Sequence, residues 1–389
     1  MTKKLYWDTA YETKFSAEVI AIKNDGIILN KTLFYPESGN QISDKGLLKV
    51  GESTFKVDKV TKEEEDILHH LGSHFEDRIH IGDRVEGEID WDHRYGLMKT
   101  HSSQHVISAI IKNEYDIDTI RANIMFEEAS IQISQKLNYE KLNVILNKVN
   151  EILTELNLNI TSSIFSHEET QKKSSIIRSK IPKVPKVRLI EIKGLDLVCC
   201  GGTHVKNTSE IGPIYIYEFK KGSEISYYIG NKARLLSSNN NVEILNLAND
   251  TNTSIEKLKG YLDKQLELNK DLLEQQNSLV IKYLETISHS PTNVIKGISL
   301  FYIEYNLDFK LLNRSLSNFP QNSLIIVNMG NNKIRINSLS DSINANELIQ
   351  LIIKKFDGKG GGNPKSAQAA LEKTPKNLVA EVESLIITE

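Results

Sequence analysis

The stretch CCGGTHV, residues 199–205, holds both cysteines of a 389-residue chain. Adjacent cysteines rarely pair, and two in so long a chain make no disulfide framework. Three roles remain: inert packing, a reactive thiol, or metal ligation. Cys200 and His204 form C-x3-H. Gly201 and Gly202 between them let the backbone turn tightly, so that thiolate and imidazole meet at one point. If the turn begins after Cys199, that residue has the opposite strand parity. It is then expected to pack inward as a small hydrophobe.

A second pair completes a ligand set. In THSSQH, residues 100–105, His101 and His105 stand at i, i+4 in a helical pattern. That spacing puts both rings on one face, with Cβ atoms about 5–6 Å apart. Two imidazoles need that separation to share an ion. Alone, such a pair arises by chance in a chain with ten histidines. Joined to Cys200 and His204 it becomes His3Cys, a set that suits tetrahedral zinc, Zn2+. His69, His70, His74, His80, His93, His167 and His289 lack such partners. HHLGSH, residues 69–74, could bind metal but reads better as solvated loop histidines.

Working outward, the pattern is that of an α+β protein in several parts. Residues 1–95 alternate as short strands, with Asn-Asp-Gly at 24–26 marking a hairpin, and read as a small β-barrel. From about Gly96 the period becomes helical, with Leu97, Val106, Ala109 and Ile110 on one face. Residues 138–157 form a second amphipathic helix. VRLIEIKGLDLV and GPIYIYEFKKGSEISYYIG return to strand character. Residues 96–240 are therefore expected to be an α+β domain carrying the zinc site. Asparagine and serine cluster in SSNNNVEILNLANDTNTS. A long helix over about 254–288 follows, with Ser254 at its N-cap. Its Ile255, Leu258, Leu262, Leu272 and Leu279 make an imperfect coiled-coil seam, interrupted by Gln265, Asn269 and Gln276. It either lies on its own domain or pairs as a hairpin or dimer helix. Residues 241–290 thus read as a helical linker. Residues 291–389 alternate strand and helix as a C-terminal α/β domain.

Bulk properties narrow the class. A formal net charge of −3 excludes an overall basic nucleic-acid binder but not a local basic patch. No apolar run approaches the ~18–20 residues that span a membrane. The first residues lack the apolar core of a signal peptide, so a cytoplasmic protein is expected.

Three further segments stand out. FYPESGNQISDKG, residues 34–46, is a turn-rich loop between strands. Its Gln41, with Thr32 nearby, could offer neutral hydrogen bonds to a small polar ligand. QKKSSIIRSKIPKVPKVR, residues 171–188, carries Lys172, Lys173, Arg178, Lys180, Lys183, Lys186 and Arg188 without an acid. It is either a solvated charge run or a track for a phosphate backbone. GKGGGNPKSAQAA, residues 358–370, reads as glycines before a helix start, which binds anions through free N–H groups. Lys359, Gly360, Gly361, Gly362 and Lys365 are its candidate contacts. It is not a Walker loop.

These motifs together resemble one family. THSSQH with CGGTHV is similar to the paired HxxxH and CxxxH motifs of the alanyl-tRNA synthetase editing domain. FYPESGNQISDKG resembles that family's F-Y-P-x-x-G-x-Q-x-x-D-x-G loop, with Asn40 where many relatives have a third glycine. Asparagine tolerates left-handed backbone better than most residues. GKGGGNPKSAQAA resembles the C-terminal domain of the same synthetases. Their order is that of the large freestanding alanyl-tRNA editing proteins, called AlaX. The resemblance implies a zinc-organised pocket that hydrolyses the ester of tRNA(Ala) mischarged with serine or glycine. It implies Gln41 at the reacting end, and Thr32 as the partner of the serine hydroxyl. It also implies a C-terminal domain that binds tRNA, and homodimerisation is expected through that domain or the long helix. No segment reads as an ATP-binding aminoacylation core, so tRNA charging is not expected. The competing readings are a non-catalytic zinc-containing RNA-binding protein, a hydrolase of another ester or peptide, and editing of another mischarged tRNA.

Overall fold

The computed structural model describes residues 1–72, 75, 77–304 and 308–388. His74 of HHLGSH lies outside the described residues. So does Tyr305, at the end of a predicted C-terminal strand. The chain divides into two compact units, Met1–Leu247 and Ala248–Glu389.

The first unit opens with β1 (Lys3–Lys4), β2 (Lys14–Lys23), β3 (Gly26–Leu29) and β4 (Lys31–Thr32). β5 (Gly46–Val50), β6 (Ser53–Glu63), β7 (Asp66–Leu71) and β8 (Arg84–Ile89) follow. β1 and β4 pair in parallel, while β2-β3-β7-β6-β5-β8 close into a barrel in that order. Its strands alternate because one face fills the lumen. Along β8, Val85, Gly87 and Ile89 point inward and Arg84, Glu86 and Glu88 outward. Gly87 has no room for a side chain, since a Cβ there would lie 2.2 Å from Phe15 Cε1. Val19, Ile27, Phe34, Leu48, Val57 and Ile67 build the core. His69 and His70 are on β7 and not in a solvated loop. His69 is fully buried, and His70 pairs with Asp25 at 2.8 Å.

Helix α1 (Trp91–Tyr115) begins five residues before the expected Gly96. Asp90 caps it by accepting from the His93 N–H at 3.1 Å, so the polar run WDHRY is already helical. Nearly all of α1 from Leu97 to Ile111 is buried. It packs on an antiparallel sheet ordered β14-β15-β10-β9, built from β9 (Thr119–Met125), β10 (Glu128–Ile133), β14 (Ile214–Lys220) and β15 (Glu224–Ile229). Between these lie α2 (Tyr139–Glu151), which ends in a π-turn over Ile152–Leu156, β11 (Ile160–Ser166) and the short α3 (His167–Gln171). β12 (Lys186–Ile192) and β13 (Asp196–Cys199) pair with β11 in a second sheet. The serine- and asparagine-rich segment forms the greater part of α4 (Gly230–Asp250). Low helix propensity is a weak prior, and here it is overridden.

The second unit starts with α5 (Ile255–Ser288). Ser254 holds the N-cap position but its side chain makes no capping bond. At the far end of α5, Leu284 packs with Phe301, Ile303 and Leu312. A six-stranded sheet is ordered β16-β17-β18-β19-β21-β20. Its strands are β16 (Asn293–Ile295), β17 (Ile298–Glu304), β18 (Ser323–Asn328), β19 (Lys333–Ser338), β20 (Gly358–Asn363) and β21 (Ser366–Leu371). Its helices are α6 (Phe309–Ser315), α7 (Ala345–Phe356) and α8 (Leu378–Thr388). β17 and β18 run parallel; the remaining pairs are antiparallel. The glycine-rich segment does not open a helix. It is the hairpin β20–β21, which corrects the helix-start reading of Lys359, Gly360, Gly361, Gly362 and Lys365. The glycines serve strand contact: a Cβ on Gly360 would lie 2.2 Å from the Gln368 carbonyl oxygen. Lys365 is ion-paired with Asp341 at 2.8 Å.

In the first unit, one buried charge pair joins barrel to helix. Arg94, in the first turn of α1, and Asp44, in the loop before β5, are both fully buried. Arg94 Nε donates to Asp44 Oδ1 at 2.8 Å, and a terminal nitrogen meets Oδ2. The same guanidinium donates to the carbonyls of Ala10 at 2.9 Å and Leu33 at 2.5 Å. Asp44 Oδ2 also accepts from the Tyr35 N–H. Removing one partner of such a pair leaves an uncompensated charge in the interior. We expect Asp44→Ala to lower the unfolding free energy by about 3–5 kcal/mol. A denaturant titration that shows a loss below ~1 kcal/mol would count against this role.

Candidate metal centre and its cavity

α1 and the turn after β13 bring four donors together. His101, His105, Cys200 and His204 have ligand atoms that all lie within 4.8 Å of one another. Cys200 Sγ is 3.4 Å from His101 Nε2 and 3.3 Å from His204 Nε2. The three imidazole centroids are 4.4–4.9 Å apart. Two ligands of a tetrahedral zinc, bonded at ~2.0–2.3 Å, lie about 3.3–3.8 Å from each other. The donor set and its spacing therefore fit such an ion. All three histidines are buried. Gly202 permits the turn: a Cβ there would lie 2.2 Å from His101 Cε1 and 2.9 Å from Gln41 Oε1.

Charge in this cluster follows from burial and proximity. Burial disfavours the thiolate, but His101 and His204 beside it outweigh that, and Cys200 falls well below the usual thiol range. Burial, then His101, pushes His204 down to about 3. Burial also lowers His101. His105 is the exception: burial pulls it down, but Asp196 and Cys200 outweigh this and raise it. Metal ligation requires the thiolate and neutral imidazoles, so these protonation equilibria are coupled to binding of an ion.

Each imidazole has a polar side chain beside its far nitrogen, hydrogen-bonded at His101 and His204 and 3.7 Å away at His105, and the sequence pointed to only one of them. Gln41 Oε1 accepts from His101 Nδ1 at 2.7 Å, leaving Nε2 to face the centre. The Gln41 amide nitrogen donates to Thr203 Oγ1 at 3.0 Å. Asp196 Oδ2 lies 3.7 Å from His105 Nδ1, which has no hydrogen-bond partner. Arg178 holds that carboxylate through two bonds of 2.8 and 2.7 Å. Ser102 Oγ is 3.2 Å from His204 Nδ1. Asp196 was missed; it opens β13, four residues before the ligand Cys200 that follows that strand.

The centre opens on a cavity of about 360 Å³. Tyr35, Ser38, Asn40, Gln104 and Arg121 contribute to its walls. Asn40 adopts the left-handed backbone expected of it, with φ 67°. Gln41 is 1% exposed and Thr32 fully buried, and neither is among the lining residues. The Thr32 hydroxyl bonds His69 Nε2 at 2.8 Å and accepts from the Phe34 N–H at 3.0 Å. His69 Nδ1 bonds the Ile27 carbonyl at 3.2 Å, so Nε2 is the acceptor and Thr32 the donor. Cys199 packs in part against Ile177, Val187 and Leu189, but it is only half-buried and also lines the cavity, so the inward packing expected from its parity is met only in part.

The basic segment divides in two. Lys172, Lys180, Lys183 and Lys186 are exposed, and Lys173, half-buried, sits over the Phe165 ring. Arg178 and Arg188 turn inward instead, which corrects their reading as surface cations. Asp196 takes Arg178. Arg188 Nη1 donates to the carbonyls of Cys200 at 3.1 Å and Gly202 at 2.8 Å. Lys359, Gly360, Gly361, Gly362 and Lys365 belong to the second unit.

Three family profiles match the chain. That for class II (A) tRNA synthetases covers residues 4–93. That for the threonyl and alanyl tRNA synthetase second additional domain covers 187–226, and the DHHA1 domain covers 309–387. Among curated proteins, the chain is 25% identical to alanyl-tRNA editing protein AlaX-L of Pyrococcus horikoshii, over 97% of this chain and 96% of that one. It is 32% identical to AlaX-M of Methanosarcina barkeri, over 57% of this chain and 94% of that one. Alanine–tRNA ligase of Sulfurisphaera tokodaii is 29% identical over 99% of this chain, which spans only 44% of the ligase. With its barrel, its His3Cys centre and a relative matched over nearly its whole length at this identity, the chain belongs to the alanyl-tRNA editing protein family AlaX.

Proposed function

We propose that this protein is a trans-editing hydrolase that deacylates mischarged tRNA(Ala), with serine as the chief amino acid removed and glycine as the secondary one. The observation that carries the reading is the convergence of His101, His105, Cys200 and His204, the first three of which line a cavity. The names of the related proteins support it. These four residues would hold Zn2+. Such an ion supplies a Lewis acid that polarises a carbonyl and lowers the pKa of a bound water.

The chain's own groups do the rest. Gln41 acts as a positioning residue that locks the His101 tautomer, and it does so from behind the cavity wall. Asp196, itself fixed by Arg178, stands 3.7 Å behind His105 as a nearby negative charge. Gln104 lines the cavity and commits its amide nitrogen to Ser108 Oγ at 2.7 Å. Its carbonyl oxygen can accept from a water or from the ammonium of the substrate. Thr32 retains one acceptor lone pair, the feature a serine hydroxyl would use. In the second unit, exposed Leu262, Leu266, Leu272 and Leu279 on α5 support pairing with a second copy of the chain. The C-terminal hairpin, with exposed Lys359, supports a contact to tRNA.

Three measurements test this reading. Purified protein is expected to release serine from Ser-tRNA(Ala), with His105→Ala losing the activity about a hundredfold or more. RNA binding without release would instead indicate a non-catalytic RNA-binding protein, and release from other acceptor families would indicate another substrate. Gly202→Ala should displace His101 and leave protein with less than one equivalent of zinc by elemental analysis; full occupancy would contradict the packing argument. Thr32→Val is expected to lower kcat/KM for seryl relative to alanyl substrate. A constant ratio would assign Thr32 to the barrel core alone.

A further inference from the structure

A second groove adjoins the metal-centre cavity, with a volume of about 1000 Å³. The two share Lys4, Trp7, Lys62, Cys199, Cys200 and Gly201. We propose that this groove holds the sugar–phosphate backbone of a single-stranded RNA 3′ end, leading away from the centre. The inference rests on the editing reading and names the path its substrate takes.

Charge is the first argument. Lys3, Lys4 and Lys62 line one side, from the N-terminal segment and barrel. Lys180, Lys186 and Arg188 line the other. Asp8 and Glu65 are the carboxylates there. Other lysines of this unit, such as Lys14, Lys59 and Lys148, are ion-paired. Among the described residues, none of the five groove lysines has an ion-pair partner within 4.0 Å. Burial, then repulsion by Lys62, holds Lys4 below the usual ammonium range. Like charges gathered in this way are relieved by an anion.

Arg188 is the second argument. It is 7% exposed and lies where β12 passes beneath the Cys200 turn. Its Nη1 is spent on two carbonyls, but its buried Nε has no partner. A buried charged donor left unmade costs free energy that a phosphate oxygen would offset. The carbonyls it does bind belong to Cys200 and Gly202, so an anion there would sit beside the ligand turn.

The third argument is shape and lining. Ile164, Val184 and Pro185 put apolar surface beside the cations. Unpaired bases need such a surface, whereas a duplex hides its bases and presents phosphates alone. An ester on a terminal ribose must be followed by the strand that carries it. The cavity holding the donors opens into this groove and no separate route is required.

The test uses the full chain with Lys3, Lys4 and Lys62 replaced together by alanine. All three touch no metal donor, and zinc content and thermal midpoint verify the fold. Fluorescence anisotropy is read with a labelled single-stranded RNA octamer, and with the same strand as a duplex, across a salt series. Each phosphate contact on a single strand contributes ~0.7 to the slope of log affinity against log salt, so the variant should flatten it by about 2. Its affinity in low salt should fall by about tenfold or more. An unchanged slope and affinity, or a duplex bound as tightly as the single strand, would overturn the proposal. In deacylation of mischarged tRNA, the variant should raise KM. No release by the unaltered protein would defeat the editing reading, while the anisotropy would still decide the groove.

Discussion

The Arg94–Asp44 pair is the constraint on which the site depends. A guanidinium and a carboxylate without solvent contact must satisfy each other, and here they do so across the junction of barrel and helix. Arg94 also ties down the carbonyls of Ala10 and Leu33, so three chain segments meet at one charge. The loop that carries Asp44 carries Gln41 three residues earlier. The helix that carries Arg94 carries His101 two turns later. Docking one pair therefore brings the other within 2.7 Å. A second strut comes from the backbone, where the Ile124 N–H donates to the Asn40 carbonyl at 2.8 Å.

The ligand turn is held from outside as well. Trp7 Nε1 donates to the Gly201 carbonyl at 3.0 Å, and the Tyr11 hydroxyl accepts from the Lys206 N–H at 2.9 Å. Tyr11 and Tyr95 both donate to Glu210, at 2.6 and 2.9 Å. These contacts come from residues up to 199 apart in sequence. They restrict the loop before any metal arrives, so less ordering cost falls on binding. The arrangement is a rigid frame for four donors, with a polar side chain beside each imidazole and a cavity in front.

Motif reading was strong where chemistry and local geometry coincide. An i, i+4 histidine pair and a C-x3-H turn are short-range features, and both form as their spacing implied. The barrel hairpins, α2 and most C-terminal elements were legible from periodicity for the same reason. It failed where local preference opposed context. Glycine and alanine in GKGGGNPKSAQAAL suggested a loop and a helix, yet β19 supplies an edge on which β21 pairs, and the bare glycines of β20 fit against it. Histidines 69 and 70 looked solvated because a polar pair in a turn-rich run usually is. Here Thr32, Thr61 and Asp25 meet them on the barrel.

The sequence by itself determined the identity of the donor set, the strand–helix–strand order around it, and the family to which those motifs belong. Only the tertiary structure decided which side chains face the cavity and which stand behind it. Gln41, Thr32, Arg178 and Arg188 all read as surface or ligand-facing groups, and all four are turned to internal partners. The physical reason is that a polar residue carries no local mark of the partner that will satisfy it. That partner lies 18 to 60 residues away for Arg178 and Gln41, and only packing brings the two together.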